Sequence, residues 1–89
     1  MEFAGQVCVV TGAGSGIGRA AALALAVRGA AVALIGRSLT NIQAVANEVR
    51  AAGGKAIAVA CDTSRPEEVA AAAARTDREL GPCDVLVNS

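Results

Sequence analysis

The residues with the clearest chemistry are glycines. Thr11-Gly12-Ala13-Gly14-Ser15-Gly16-Ile17-Gly18 follows an apolar run, Val7–Val10, and opens into Arg19–Arg28, a run of good helix formers. A strand that breaks into glycines and then into a helix leaves unpaired N–H groups at the helix start, at the positive end of its dipole. That arrangement holds an anion such as a phosphate. Gly12 suits a sharp exit from the strand, Gly16 a close approach of backbone to a pyrophosphate, and Gly18 close packing of helix on strand. Glycines 12, 16 and 18 do not give G-x-G-x-x-G counted from the strand end. No pair of glycines gives G-x-x-x-x-G-K-[ST] and no lysine lies nearby, which argues against a triphosphate P-loop. A glycine-rich turn without a ligand is the alternative that the motif alone leaves open.

Two more places carry candidate chemistry. In Leu34-Ile35-Gly36-Arg37-Ser38 an acid would suit a ribose 2′-hydroxyl, whereas an arginine suits a 2′-phosphate. The absence of an acid from this strand end and the planar, always-charged guanidinium of Arg37 both favour the phosphate. The alternative for Arg37 is a solvated charge at a helix start. In Ala60-Cys61-Asp62-Thr63-Ser64, the residues alone favour a structural role for Asp62, helping the chain turn into the next helix. Arg19 lies in a first helical turn within reach of a phosphate, yet reads as solvated, and Glu48 and Arg50 read as ordinary surface charges. Lys55 is the only lysine and sits in a turn before a strand. There is no histidine and no tyrosine, so no residue stands out for proton transfer. Without histidine or a C-x-x-C pair, a metal centre is not expected either.

The elements that must position these residues are legible as a repeat. Four apolar runs, Val7–Val10, Ala31–Ile35, Ala56–Ala60 and Asp84–Asn88, are continuous and not alternating, as in strands buried on both faces of a parallel sheet. Between them lie three helix candidates, giving β-α-β-α-β-α-β with right-handed crossovers. The second helix spans about Leu39 to Ala52, with Leu39, Ile42, Val45, Ala46 and Val49 on one face. Ser64 and Glu67 form a capping-box pattern for the third, with Pro66 in its first turn and its end at Leu80.

Composition bounds the rest. Eighty-nine residues allow one small domain, and hydrophobic residues make up 54% of it. Much of that share is alanine and aromatics are only 1%, so the core is thin for its apolar count. Net charge is zero, which gives no basic excess for nucleic acid or anionic lipid. The longest uncharged helical run, Ala20–Val27, is far short of the ~20 residues of a membrane span. Met1–Gly5 shows neither a basic start nor an apolar core of a signal peptide. Cys8, Cys61 and Cys83 are odd in number and widely spaced, two of them in predicted strands. They read as reduced thiols filling apolar space in a cytoplasmic protein.

The Thr-Gly-x-x-x-Gly-x-Gly spacing, followed in order by Asp62 and Asn88, resembles the short-chain dehydrogenase/reductase family over essentially the whole chain. The resemblance implies a Rossmann-like α/β fold: a doubly wound parallel sheet, here partial, with strand order 3-2-1-4. Residues 1–89 then form the N-terminal, incomplete part of one dinucleotide-binding domain, with no second domain. It further implies cofactor contacts by Gly12, Ser15, Gly16, Ile17, Gly18, Arg37, Asp62, Thr63 and Asn88. Asp62 would bond the adenine amino group, with the Thr63 backbone beside it. Asn88 matches the first asparagine of the family's Asn-Asn-Ala-Gly motif, which lies against the adenosine ribose; Ser89 departs from the second. Ser15 stands where many NADP-type members carry a second basic residue. Gly36-Arg37 implies NADP, with NAD the lesser alternative.

Family members pass hydride between NAD(P) and a carbonyl or alcohol carbon, using a Ser, a Tyr and a Lys. None of these catalytic roles can be assigned to a residue of this chain. Complete members are usually homo-oligomeric, and the fragment is expected to self-associate through an apolar fourth strand, Val85-Leu86-Val87, left at the sheet edge. Two other readings stay open: a nucleotide-binding module or inactive truncated fragment without chemistry, and a methyltransferase-like Rossmann domain. The last is disfavoured by the missing acid at Gly36.

Overall fold

The computed structural model describes residues 2–89; Met1, where the N-terminal stretch read above begins, lies outside the described residues. Strands β1 (Val7–Thr11), β2 (Ala31–Gly36), β3 (Lys55–Ala60) and β4 (Val85–Asn88) alternate with helices α1 (Gly16–Val27), α2 (Leu39–Ala51) and α3 (Pro66–Glu79). The sheet has the expected order β3-β2-β1-β4, and every pairing is parallel. The chain moves outward from β1 to β3, then returns past β1 to β4. Crossovers of one hand that run in opposite directions must lie on opposite faces.

Packing shows this division. Cys8, Val10, Val32, Leu34, Ala56 and Ala58 turn toward α1 and α2, meeting Ala22 on one helix and Ile42, Val45, Ala46 and Val49 on the other. Ala33, Ile35, Ile57 and Val59 turn toward α3, where Ala72 and Leu80 meet them. Each large side chain fully buried here, such as Leu34, Ile42 or Val10, contributes about 1.5–3 kcal/mol of transfer free energy. The α3 layer is thinner because alanines dominate it. Beside it lies an open apolar groove of about 790 Å3 over Val9, Val69, Ala73 and Leu86. Among the described residues no helix is long and apolar enough to cross a membrane.

Several details differ from expectation. The four strands match the predicted runs to within one residue at either end, but helix α1 begins at Gly16, inside the glycine motif, rather than at Arg19. Leu39 is 51% exposed and leaves the apolar face that Ile42, Val45, Ala46 and Val49 form. The Ser64–Glu67 capping box does not form. Arg65 is the N-cap residue of α3, in extended conformation, because a residue that precedes proline is pushed out of the helical region. Ser64 therefore lies one residue too early, and its hydroxyl donates to Asp62 Oδ1 at 2.7 Å. Glu68, not Glu67, reaches back, accepting from the Asp62 amide at 2.9 Å. Strand β4 is half-buried and alternating, not continuous: Val85 and Val87 pack on the α1 side, while Leu86 is 64% exposed on the other. Of the three free cysteines, only Cys8 lies within a strand; Cys61 is buried just past β3, and Cys83 is exposed.

Candidate functional site

The carboxyl ends of β1, β2, β3 and β4 surround a cleft of about 310 Å3. Thr11, Gly12 and Ser15 line one wall, Gly36 and Arg37 a second, and Thr63 and Asn88 close it. Open α/β sheets bind ligands at this end, where the strand order reverses. Here the reversal falls between β1, which leads to β2, and β4, which pairs with the other side of β1.

The start of α1 is built to stay open. Ser15 occupies the N-cap in extended conformation but makes no side-chain cap, and the first turn carries no acid. The N–H groups of Gly16, Ile17 and Gly18 precede the first intrahelical donor, Arg19, whose amide reaches Ser15 O at 3.4 Å. Helix α2 begins at the same cleft and differs: Ser38 caps it by accepting from the Asn41 amide at 3.3 Å. Of the two helices whose N-cap residues line this cleft, α1 is the one with an uncapped positive end. Helix α3 also lacks a side-chain cap, but its start lies outside the cleft lining and its first turn carries Glu67 and Glu68. Gly16 has φ +60°, a left-handed conformation costly to any other residue, and a Cβ on it would meet nothing within 4 Å. The space beside it is therefore available to a ligand. Ile17, at 80% exposure, stands beside that space without protein packing.

Gly18 has a different duty from the one expected. Its role is packing, but against the turn rather than the strand: a Cβ would overlap the Gly12 carbonyl and press on Ser89 Oγ. Gly12 in turn lies under Ser89, whose carbonyl and hydroxyl oxygens would sit 2.9 Å from a Cβ there. Thr11 ties this corner together. Its hydroxyl donates to Asn88 Oδ1 at 2.9 Å and accepts from the Ser89 amide at 3.2 Å, while Ser89 Oγ donates to the Thr11 carbonyl at 2.8 Å.

Arg37 is exposed at the cleft and makes no hydrogen bond or ion pair among the described residues. Gly36 beside it is closed to a side chain by the core, since a Cβ would come within 2.8 Å of Ile42 Cγ2. Thr63 lines the cleft, but Asp62 does not. Asp62 Oδ1 accepts from both the amide and the hydroxyl of Ser64, at 3.0 and 2.7 Å, in a local turn. The hydroxyl bond first and the amide bond second hold this carboxyl below its usual range, and the nearby Arg37 charge adds to the effect. Cys61, at the cleft floor, is pushed up by burial and then by the charges of Glu68 and Asp62, so it stays a neutral thiol.

Three charges have partners that the sequence does not reveal. Arg19 does not face the cleft as a free phosphate ligand; it forks onto both carboxylate oxygens of Glu48 at 2.7 and 2.8 Å, bridging α1 to α2. Arg50 donates to the Ala56 carbonyl at 2.8 Å. Thr11, Asn41, Cys61 and Ser89 join the site without having been singled out. For Thr11 a signal was present, because a hydroxyl at the last position of β1 sits opposite the last position of β4.

The chain matches the short chain dehydrogenase family over residues 6–89. It is 49% identical over 86 residues to dehydrogenase/reductase SDR family member 1 of Mus musculus, covering 96% of this chain and 28% of the mouse protein. Its fold superposes with a TM-score of 0.94 on a hydroxysteroid dehydrogenase from Escherichia coli, at 35% identity, covering 97% of this chain and 37% of that one. A metagenomic short-chain oxidoreductase in complex with NADP superposes with a TM-score of 0.91 at 45% identity, over 97% of this chain and 39% of that one. The chain thus spans under a third of the length of the mouse relative. With its glycine loop, its strand order and this likeness over almost its whole length, the chain belongs to the short-chain dehydrogenase/reductase family.

Proposed function

We propose that this chain forms the adenosine-binding part of an NAD(P)-dependent short-chain oxidoreductase, and that its cofactor is NADP(H). The observation that carries the reading is the uncapped start of α1: its N-cap residue Ser15 lines one cleft with the unpaired Arg37, and the free amides and open Gly16 follow directly after it. Gly16, Ile17 and Gly18 would hold the pyrophosphate, with Ser15 and Gly12 shaping the loop around it. Arg37 would hold the 2′-phosphate as a planar, charged fork. Asn88, whose oxygen is already taken by Thr11, would offer its remaining amide N–H groups to the ribose. Thr63 would meet the adenine through its backbone, and Asp62 through Oδ2, the oxygen not held by Ser64. When bound, the nicotinamide supplies hydride transfer to or from a carbonyl or alcohol carbon.

The described residues fit such a group: there is open space beside Gly16, one residue on from Ser15 at the cleft, and the charged residue that lines the cleft, Arg37, is cationic. The relative bound to NADP supports the 2′-phosphate reading, and Gly36 supports it by supplying no carboxylate. The 89 residues contain no tyrosine, so the family's acid/base step is not carried by them.

Calorimetric titration with NADP and NAD tests the cofactor assignment. The parent should prefer NADP, and Arg37→Ala should weaken NADP about tenfold, equal to about 1.4 kcal/mol, while leaving NAD unchanged. Equal affinities that Arg37→Ala does not alter would overturn the assignment.

A further inference from the structure

The two edges of the sheet are treated differently. At the β3 edge, the Cys61 amide donates to the Gly36 carbonyl of β2 at 2.8 Å. Alternation along the strand then turns the amides and carbonyls of Ile57 and Val59 toward β2, and those of Ala56, Ala58 and Ala60 outward. Outward-facing backbone groups on an edge strand are a template for another strand. On β3, arginines occupy two of them. Arg50 Nη2, from the last turn of α2, donates to the Ala56 carbonyl at 2.8 Å. Arg75 Nη1, from α3, donates to the Ala58 carbonyl at 3.3 Å, and its Nε donates to Glu79 one helical turn on. The two helices lie on opposite faces of the sheet, so the guanidinium groups reach the edge from both sides.

We propose that Arg50 and Arg75 close the β3 edge against strand addition by a second copy of this chain. Each guanidinium takes the acceptor an incoming strand would need, and sets a charge and a bulky planar group where its backbone would lie. No arginine reaches the outer edge of β4 among the described residues, so the device belongs to one edge. It also gives the carbonyl contacts of Arg50 and Arg75 a use beyond the Arg75–Glu79 ion pair.

The test compares the chain with Arg50→Met/Arg75→Met, which keeps the aliphatic stems and removes the donors, and with Arg50→Lys/Arg75→Lys, which keeps a charged donor at each place. Light scattering gives the mean mass across a concentration series, with the parent's own association as baseline. Circular dichroism and amide exchange report the fold and the edge. The methionine pair should keep the parent's helical signal, at least roughly double its mean mass at high concentration, and protect the outward amides of Ala56, Ala58 and Ala60. The lysine pair should follow the parent. A methionine pair whose mass tracks the parent's would overturn the proposal. So would association accompanied by loss of the helical signal or by unprotected β3 amides, since its cause would then be unfolding.

Discussion

The Thr11 hydroxyl donates to Asn88 Oδ1 at 2.9 Å, joining the last residue of β1 to the last residue of β4 across the point where the strand order reverses. The same hydroxyl accepts from the Ser89 amide, and Ser89 lies over Gly12. One side chain thus sets the spacing between the glycine loop and the fourth strand. Thr11→Val keeps the shape and removes both bonds. It should cost about 1–2 kcal/mol in chemical denaturation. It should also weaken nucleotide binding, because Asn88 is released to rotate. Unchanged stability and affinity would show that backbone pairing alone fixes this corner.

Gly16 combines a left-handed backbone with empty space beside it. Gly16→Ala should cost about 1–2 kcal/mol from the backbone alone. Because nothing in the protein occupies that space, the added methyl should hinder only a ligand. The affinity for NADP should therefore fall further than the loss of folded chain explains, measured by titration at a temperature where the variant is fully folded.

Gly36 faces Ile42 Cγ2 in the core, so the residue that supplies no carboxylate at the end of β2 is also fixed by packing. Gly36→Ala should destabilise by about 1–3 kcal/mol, the usual penalty for overpacking. Ile42→Leu removes the offending Cγ2 at constant volume, so the same glycine substitution made in that background should cost distinctly less. Equal costs in both backgrounds, read from paired denaturation curves, would show that the contact relaxes freely. The coupling also means that Gly36→Asp changes stability along with charge, which makes Arg37 the cleaner position for cofactor tests.

Asp62 has its carboxyl held below the usual range by the Ser64 hydroxyl and amide. A group whose folded pKa is depressed adds stability above its unfolded pKa, and loses it as pH falls through the folded value. The parent should therefore lose this contribution below about pH 4, the unfolded carboxylate value. Asp62→Ala should be less stable near neutrality, with the gap to the parent narrowing as pH drops. A gap independent of pH in thermal unfolding scans would assign the role of Asp62 to something other than its charge.

Much of this architecture could be read from the residues, and what could not shares a cause. Continuous runs such as Val32–Ile35 announce strands buried on both faces, and the glycine spacing announces an open helix start, because both depend on neighbours along the chain. Arg50 reads as surface charge because its acceptor, Ala56, joins an edge only once the sheet is assembled, and the Arg75–Ala58 contact is hidden for the same reason. The Arg19–Glu48 bridge needs α1 and α2 side by side, and the Gly36–Ile42 contact needs α2 laid across the end of β2. Ser64 misled for a local reason: Pro66 shifts the cap to Arg65, and the serine turns back to Asp62.

On the proposed function, the uncapped start of α1 and Arg37 form one dinucleotide site. Titration of the isotopically labelled chain with NADP, followed by amide chemical shifts, tests it residue by residue. Saturable shifts should be largest at Gly16, Ile17 and Gly18, with further shifts at Arg37, Thr63 and Asn88. The opposite end of the sheet, at Val27 and Gly53, should stay still. Shifts centred on that opposite end, or no saturable shift in a folded chain, would contradict the account.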